Sequence, residues 1–114
     1  MAIVSINPYT LKKLKSFDEM TENEIERAIS RAHETYQTWK FKSYEERAKV
    51  LNKVASIMKN KKEELSKLIT SEMGKLIKQA EYEVDYAISI FEYYAKNAKT
   101  FLADEPLKVE TGEA

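Results

Sequence analysis

The sequence contains no cysteine among its 114 residues. This excludes disulfides, thiolate metal sites and a cysteine nucleophile within these residues. Histidine is nearly absent as well, because His33 is the only imidazole. One histidine and scattered carboxylates give no short ligand spacing, so the residues predict no metal site.

Glycine and proline are also scarce, with two of each. A chain with so few turn formers is expected to be mainly helical. No glycine-rich loop is present to bring backbone amides to a phosphate, so we predict no cofactor-binding residue and no bound cofactor for these residues alone.

Excess charge and long apolar runs are missing too. The 19 basic and 19 acidic residues balance, which argues against nucleic acid as a partner. No run of about 18 apolar residues is found and the N-terminus does not resemble a signal peptide, so no membrane segment is expected. The default prediction is a cytoplasmic protein.

What the sequence does have is one long uninterrupted stretch, from Gly74 to Leu102. After Gly74 it contains neither glycine nor proline. Its apolar residues recur at steps of three and four, which predicts one α-helix. Such a helix spans roughly 40 Å at about 1.5 Å per residue. A second row on another side carries Tyr82, Tyr86, Ile90 and Tyr93, so the helix is expected to need a partner.

Three shorter helices are predicted before it. Thr21 to Glu24 and Ser43 to Glu46 are capping-box patterns that begin the first two. Asn60 is predicted to cap the third, and Gly74 is placed to end it in a left-handed conformation.

Strand-like pieces stand at both ends of the chain. Residues 2–6 predict a strand before a turn at Asn7-Pro8, 13–17 a weak return strand, and 107–110 the beginning of another. The predicted fold class is therefore mainly α: four helices, the last one long, with short β segments at both ends. We interpret residues 1–114 as a single partial domain, with 1–20 a strand and turn segment, 21–103 helical and 104–114 a tail or strand start.

Candidate functional side chains are few, and no catalytic residue is identified. His33 is interpreted as a surface residue rather than a general base, since no nucleophile or acid is spaced to serve it. Paired glutamates fall in first turns, where they oppose the helix dipole. Arg47 falls in the inward band of the second helix, so a structural role is expected, clamping a carboxylate or helix carbonyls. Tyr82 and Tyr86 are open to three interpretations: core, interface or the wall of a ligand channel.

Five stretches together resemble the beginning of an aldehyde dehydrogenase, and specifically the succinate-semialdehyde dehydrogenase type. In chain order they are Ser5-Ile6-Asn7-Pro8-Tyr9-Thr10, Trp39 with Ser43-x-x-Glu46-Arg47-Ala48, Glu72-Met73-Gly74-Lys75, Glu83-Val84 through Tyr93-Tyr94-Ala95, and Phe101 to Pro106. The sequence departs from the family at Leu11, where the family usually has glycine in the turn, and at Leu76, where it often has proline at the helix start. A left-handed residue at Leu11 would be strained.

The resemblance implies an enzyme that oxidises an aldehyde through a cysteine thiohemiacetal and passes hydride to NAD or NADP. The family's Asn, general-base Glu and nucleophilic Cys would all follow after Ala114. By resemblance the chain is the helical layer that packs against the cofactor domain. Tyr82 and Tyr86 match the aldehyde tunnel, and Ser5, Ile6 and Glu72 match positions that hold a structural monovalent cation in some members.

Two hypotheses of different classes follow. In the first, the chain is an N-terminal fragment or split subunit of an NAD(P)-dependent aldehyde dehydrogenase, inactive alone and completed by a companion chain. In the second, it is a stand-alone helical module that self-associates through the long helix and its tyrosines. The first predicts an orphan chain that is loosely folded or aggregates, and the second predicts a defined oligomer with cooperative melting.

Overall fold

The computed structural model describes residues 3–107 and shows one small β-hairpin followed by four helices. The elements in chain order are β1 Ile3–Ile6, β2 Lys13–Phe17, α1 Glu22–Trp39, α2 Tyr44–Asn60, α3 Lys62–Met73 and α4 Ile77–Phe101. The predicted four-helix, mainly α class with a long last helix is confirmed. The predicted strand residue Ala2, and the predicted C-terminal strand and turn after Leu107, lie outside the described residues.

Both predicted capping boxes are present and explain where α1 and α2 begin. The Thr21 hydroxyl accepts from the Glu24 amide at 3.3 Å, and the Glu24 carboxylate accepts from the Thr21 amide at 2.7 Å. Ser43 and Glu46 make the same reciprocal pair at 3.1 and 2.9 Å. Each pair supplies acceptors to amides at the beginning of the helix, which the regular i to i−4 hydrogen bonds of the helix leave unpaired.

The predicted cap for α3 is wrong. Asn60 is the last residue of α2, and the N-cap of α3 is Lys61, which makes no side-chain capping hydrogen bond. A side-chain cap requires an extended backbone at the capping residue, and helical Asn60 does not supply one. The two helices therefore join at Lys61 alone, whose amide still donates to the Ile57 carbonyl of α2.

The core lies where α4 packs against α2 and α3. Ala55, Val84 and Ile88 form its buried centre, and Met58, Leu65, Ile69 and Phe91 pack partly buried around them. Ala80 and Ser66 are also fully enclosed, and the Ser66 hydroxyl donates to the Lys62 carbonyl at 2.8 Å. Small side chains at these positions let α3 and α4 approach closely.

The hairpin lies at the end of α3 and depends on two left-handed residues. Gly74 ends α3 at φ 68°, as predicted, and the Pro8 Cγ lies 3.1 Å from where a side-chain carbon on Gly74 would stand. Leu11 occupies the turn at φ 58°. The hairpin closes there because the Asn7 amide donates to the Lys12 carbonyl and the Leu11 amide to the Asn7 carbonyl, at 2.9 and 2.8 Å.

The described chain is elongated rather than compact. Its radius of gyration is 20.6 Å and its longest extent is 68 Å, whereas a compact domain of this size has a radius of roughly 13 Å. Helix α1 buries none of its residues, and its apolar stripe of Ile25, Ile29, Tyr36 and Trp39 is exposed. Within residues 3–107, no helix is long and apolar enough to cross a membrane.

Candidate functional site

The most distinct candidate site is a groove on the outer face of α4. Tyr82 and Tyr86 lie one turn apart, and their rings stack with centroids 6.3 Å apart and planes within 7°. The groove has a volume of about 450 Å³, and Lys75, Lys78, Gln79 and Glu83 line it with the two tyrosines. Helical spacing explains the stack, because residues four apart are neighbours on one helix face.

The groove is one wall rather than an enclosed pocket. Both tyrosines follow the helical period of α4, but they lie on a side of it that is largely uncovered. Tyr82 is 71% exposed and Tyr86 57% exposed. The paired rings give a flat apolar surface with two phenol hydroxyls, which suits contact with a small organic molecule or a protein surface. Chemistry at this wall would need reactive groups from elsewhere.

One part of this wall was missed by the sequence analysis. An ion pair joins Lys75, just before α4, to Glu83 on the second turn of that helix. It stands at the rim of the groove because Gly74 ends α3 and turns the chain back towards α4. The signal was present in the sequence as a basic residue directly after the helix-ending glycine.

The tyrosine row does not continue as a single surface. Tyr93 leaves the stack and packs with Tyr94 and Phe101, at centroid separations of 5.5 and 5.8 Å. This second aromatic group lies at the far end of α4. The structure therefore divides the predicted row into a Tyr82–Tyr86 groove and a separate terminal cluster.

The structure brings together two of the three residues matched to a cation position. The Ser5 hydroxyl donates to the Glu72 Oε1 at 2.7 Å, across the contact between the hairpin and α3. Ile6 is opposite Lys13, and the strand register shifts between Ser5 and Ile6. Oxygen donors beside an irregular strand are the type of ligand that a hard cation takes. Within residues 3–107, no group of three or more His, Cys, Asp or Glu side chains is placed to bind a metal.

The structure shows no carboxylate or helix carbonyl bound to the Arg47 side chain within residues 3–107, although such a partner was predicted. Its guanidinium lies over the Tyr44 ring, with Cζ 4.7 Å from the ring centroid. Its Nε atom is buried and has no hydrogen-bond partner among those residues. A cavity of about 140 Å³ between α2 and α4 adjoins it, lined mostly by apolar side chains such as Leu51, Tyr94 and Ala98.

The remaining polar candidates occupy helix surfaces. His33 is exposed and its Nε2 lies 3.1 Å from the Gln37 side chain one turn later. Glu63 pairs with Lys67 at 2.6 Å. The Lys67 hydrogen bond and charge lower the pKa of the Glu63 carboxyl. A carboxyl held ionised in this way is unsuited to acting as an acid near neutral pH.

Comparison with known proteins places the whole chain in one family. The model of the aldehyde dehydrogenase family matches residues 1–114. The chain is 38% identical over 110 residues to succinate-semialdehyde dehydrogenase [NADP(+)] of Deinococcus radiodurans, covering 96% of this chain and 23% of that protein. It is 37% identical to the enzyme of the same name from Mycobacterium leprae, with 93% and 23% covered.

Solved structures give the same result for the fold. Succinic semialdehyde dehydrogenase from Streptococcus pyogenes, solved with NADP+, matches with a TM-score of 0.91 and 36% identity over 96% of this chain and 24% of that one. Gox0499 matches with a TM-score of 0.95 and 32% identity, over 99% and 25%. The chain spans about a quarter of the length of these relatives. It belongs to the aldehyde dehydrogenase family.

Proposed function

We propose that this chain supplies the N-terminal quarter of an NADP-dependent dehydrogenase acting on succinate semialdehyde, and that it is inactive without a companion chain carrying the rest. The observation that carries this is the match to the Streptococcus pyogenes enzyme, which extends over 96% of this chain but only 24% of that one. These residues keep the fold of that enzyme's matching region, with a TM-score of 0.91. They are therefore suited to assemble with the remaining three quarters of such an enzyme.

Inactivity alone follows from the chemistry of the residues present. The family resemblance assigns the covalent step to a cysteine, and these 114 residues contain none. Removing a nucleophile removes the covalent intermediate itself, which a groove lined by tyrosines does not replace. The cofactor, NADP by similarity to the named relatives, would be bound by the companion chain.

The test uses the purified chain and a defined companion. We expect no NADPH formation when the chain alone is given succinate semialdehyde and NADP+, followed by absorbance. As the companion probe we choose the remaining three quarters of the Deinococcus radiodurans enzyme, which should gain activity on mixing with this chain. Turnover by the chain alone, or a failure of the mixture to assemble, would contradict the proposal.

The Tyr82–Tyr86 groove would then form one wall of the aldehyde path in the assembled enzyme. Replacing both tyrosines with serine should raise the KM for the aldehyde by roughly tenfold, because apolar contact area is lost. The matched control is Tyr9→Ser, since Tyr9 lies on the hairpin turn and is 92% exposed. Equal effects of the two changes would remove the tyrosines from the path.

The Ser5, Ile6 and Glu72 position would serve as the structural cation site of the assembled enzyme. In support, the Ser5 hydroxyl and the Glu72 carboxylate lie 2.7 Å apart. Potassium should then stabilise the assembled protein in a thermal melt, and Glu72→Gln should reduce that stabilisation. A potassium response that the substitution leaves unchanged would argue against this site.

The exposed face of α4 favours a second candidate function, a stand-alone module that self-associates. Tyr82, Tyr86 and Ile90 are all exposed along this face, and large exposed apolar patches mark interaction surfaces. This function predicts a defined oligomer with a cooperative melt, whereas an orphan fragment should melt broadly or aggregate. Sedimentation with a thermal melt separates the two, and replacing Tyr82 and Tyr86 with serine should dissociate such an oligomer.

The cytoplasmic location and the domain limits predicted from the sequence stay predictions.

A further inference from the structure

We infer that Arg47 is an anchor for the companion chain, and that it receives a carboxylate side chain from that chain at the cavity between α2 and α4. This inference rests on the proposed function, because it names the chemistry of one contact in the proposed assembly. The first observation is that the Arg47 Nε is buried yet has no hydrogen-bond partner within residues 3–107. A buried donor left without an acceptor is costly, so native structures rarely leave one unmet.

The two carboxylates next to Arg47 in the sequence are already engaged. Glu45 accepts from the Lys99 ammonium at 2.9 Å. Glu46 accepts from Lys42 at 2.8 Å and from the Ser43 amide at 2.9 Å. Both acidic neighbours therefore satisfy other groups, and the positive charge of Arg47 is balanced by neither of them.

The guanidinium is also held in position before any partner arrives. Its packing over the Tyr44 ring, with Cζ 4.7 Å from the ring centroid, restrains the position of the group. A planar guanidinium presents parallel N–H donors that match the two oxygens of a carboxylate better than a single carbonyl oxygen. The adjoining cavity of about 140 Å³ is lined mostly by apolar side chains, which would shield the resulting ion pair from water and strengthen it.

The occupant is assigned to the companion chain because the relatives contain a further three quarters of sequence that this chain lacks. The chain keeps its fold against Gox0499 over 99% of its length, while covering 25% of that protein. The hydrogen-bond acceptor for a buried donor such as the Arg47 Nε can therefore come from the remaining part of the enzyme. A second copy of this chain is the competing occupant, and the experiment separates the two.

The experiment measures binding of this chain to the probe defined above, the remaining three quarters of the Deinococcus radiodurans enzyme. Arg47→Met removes the donors while keeping a long apolar side chain, and Arg47→Lys keeps the charge but loses the paired donors. We expect Arg47→Met to weaken binding by roughly 10- to 100-fold and Arg47→Lys by less. The control is Lys49→Met, an exposed cation on the same helix, which should change binding by less than about twofold.

The contrast between the two Arg47 variants and sedimentation complete the test. The apolar lining should protect the ion pair from screening by salt, so a bound carboxylate is reported by Arg47→Lys, which keeps the charge and should retain more binding than Arg47→Met. Equal losses in these two variants would overturn the carboxylate, and affinities equal to that of the unchanged chain would overturn the anchor while leaving the proposed function intact. A shift from oligomer to monomer by Arg47→Met alone would assign the site to a second copy and overturn the inference. Absence of binding by the unchanged chain would overturn both proposals. Helical circular dichroism of each variant verifies that it is folded.

Discussion

Helices α1 and α4 are both amphipathic, yet the structure treats them differently. Helix α4 buries Ala80, Val84 and Ile88 against α2 and α3, and ion pairs such as Lys62–Asp85, at 2.6 Å, join the helices at the surface. Helix α1 buries no residue. The difference shows that an apolar stripe establishes that a helix needs a partner, but not that the partner is in the same chain.

The largest effect is expected from a substitution in the core that α4 covers. Ile88 is 4% exposed at the centre of the α2–α4 contact. Ile88→Ala should destabilise α2–α4 by about 2 to 5 kcal/mol, because it removes apolar contacts and leaves a cavity. Hydrogen exchange with mass spectrometry should show lost protection in α2 and α4.

The matched control is Ile29→Ala on α1. Ile29 is 60% exposed, so in the isolated chain its truncation should change protection by less than about 0.5 kcal/mol. Comparable effects at both positions would mean that α1 is covered in solution, and the contrast between the two helices would be lost.

The next effect concerns the attachment of the hairpin to the α2–α4 unit. Gly74→Ala should destabilise the end of α3 by about 1 to 2 kcal/mol, since alanine is strained at positive φ, and its Cβ would stand 3.1 Å from the Pro8 Cγ. Exchange of the β1 and β2 amides reports whether the hairpin detaches. Met73→Ala, one residue earlier and exposed, is the control and should leave hairpin exchange unchanged.

A gain of stability is expected within the hairpin itself. Leu11 is left-handed at φ 58° and 78% exposed, so its side chain contributes little packing. Leu11→Gly should stabilise the hairpin by about 0.5 to 1 kcal/mol, the relief of strain less the entropy of glycine. Thr10→Gly, at a residue without positive φ, should instead destabilise it. A loss of hairpin protection in Leu11→Gly would mean that the Leu11 side chain has a contact partner in solution.

Features decided by neighbouring residues were predictable from the sequence. Both capping boxes and the glycine that ends α3 depend on backbone groups within a few residues, and the structure has all three. The wrong cap at Asn60 arose because α2 continues to that residue. The capping pattern alone does not show where the preceding helix ends.

Contacts between distant residues were less predictable. The acceptor expected for Arg47 is missing from residues 3–107, so its position in the inward band indicated a partner that these residues do not supply. The stack of Tyr82 on Tyr86 was implied by their spacing, but the departure of Tyr93 from that row depends on Phe101. Helical periodicity gives the direction of each side chain and leaves its tertiary neighbour undetermined.

The smallest effect compares the beginnings of α1 and α2 by their response to acid. The Lys42 ammonium and the Ser43 amide donate to the Glu46 carboxylate and lower its pKa from about 4.5 to about 2. The folded-state pKa is lowered, so the stabilisation is complete above the unfolded pKa of about 4.5 and is lost as the pH falls towards 2. At the start of α1, the Thr21 amide lowers the pKa of Glu24 in the same direction without help from a lysine.

Exchange protection at the first turn of α2 should fall between pH 5 and pH 2. Glu46→Gln should remove that change, whereas the control Glu34→Gln should not. Added salt should weaken the response at α2 more than at α1, because the Lys42 contribution is screened; equal salt responses would show that the backbone amide alone holds Glu46 ionised.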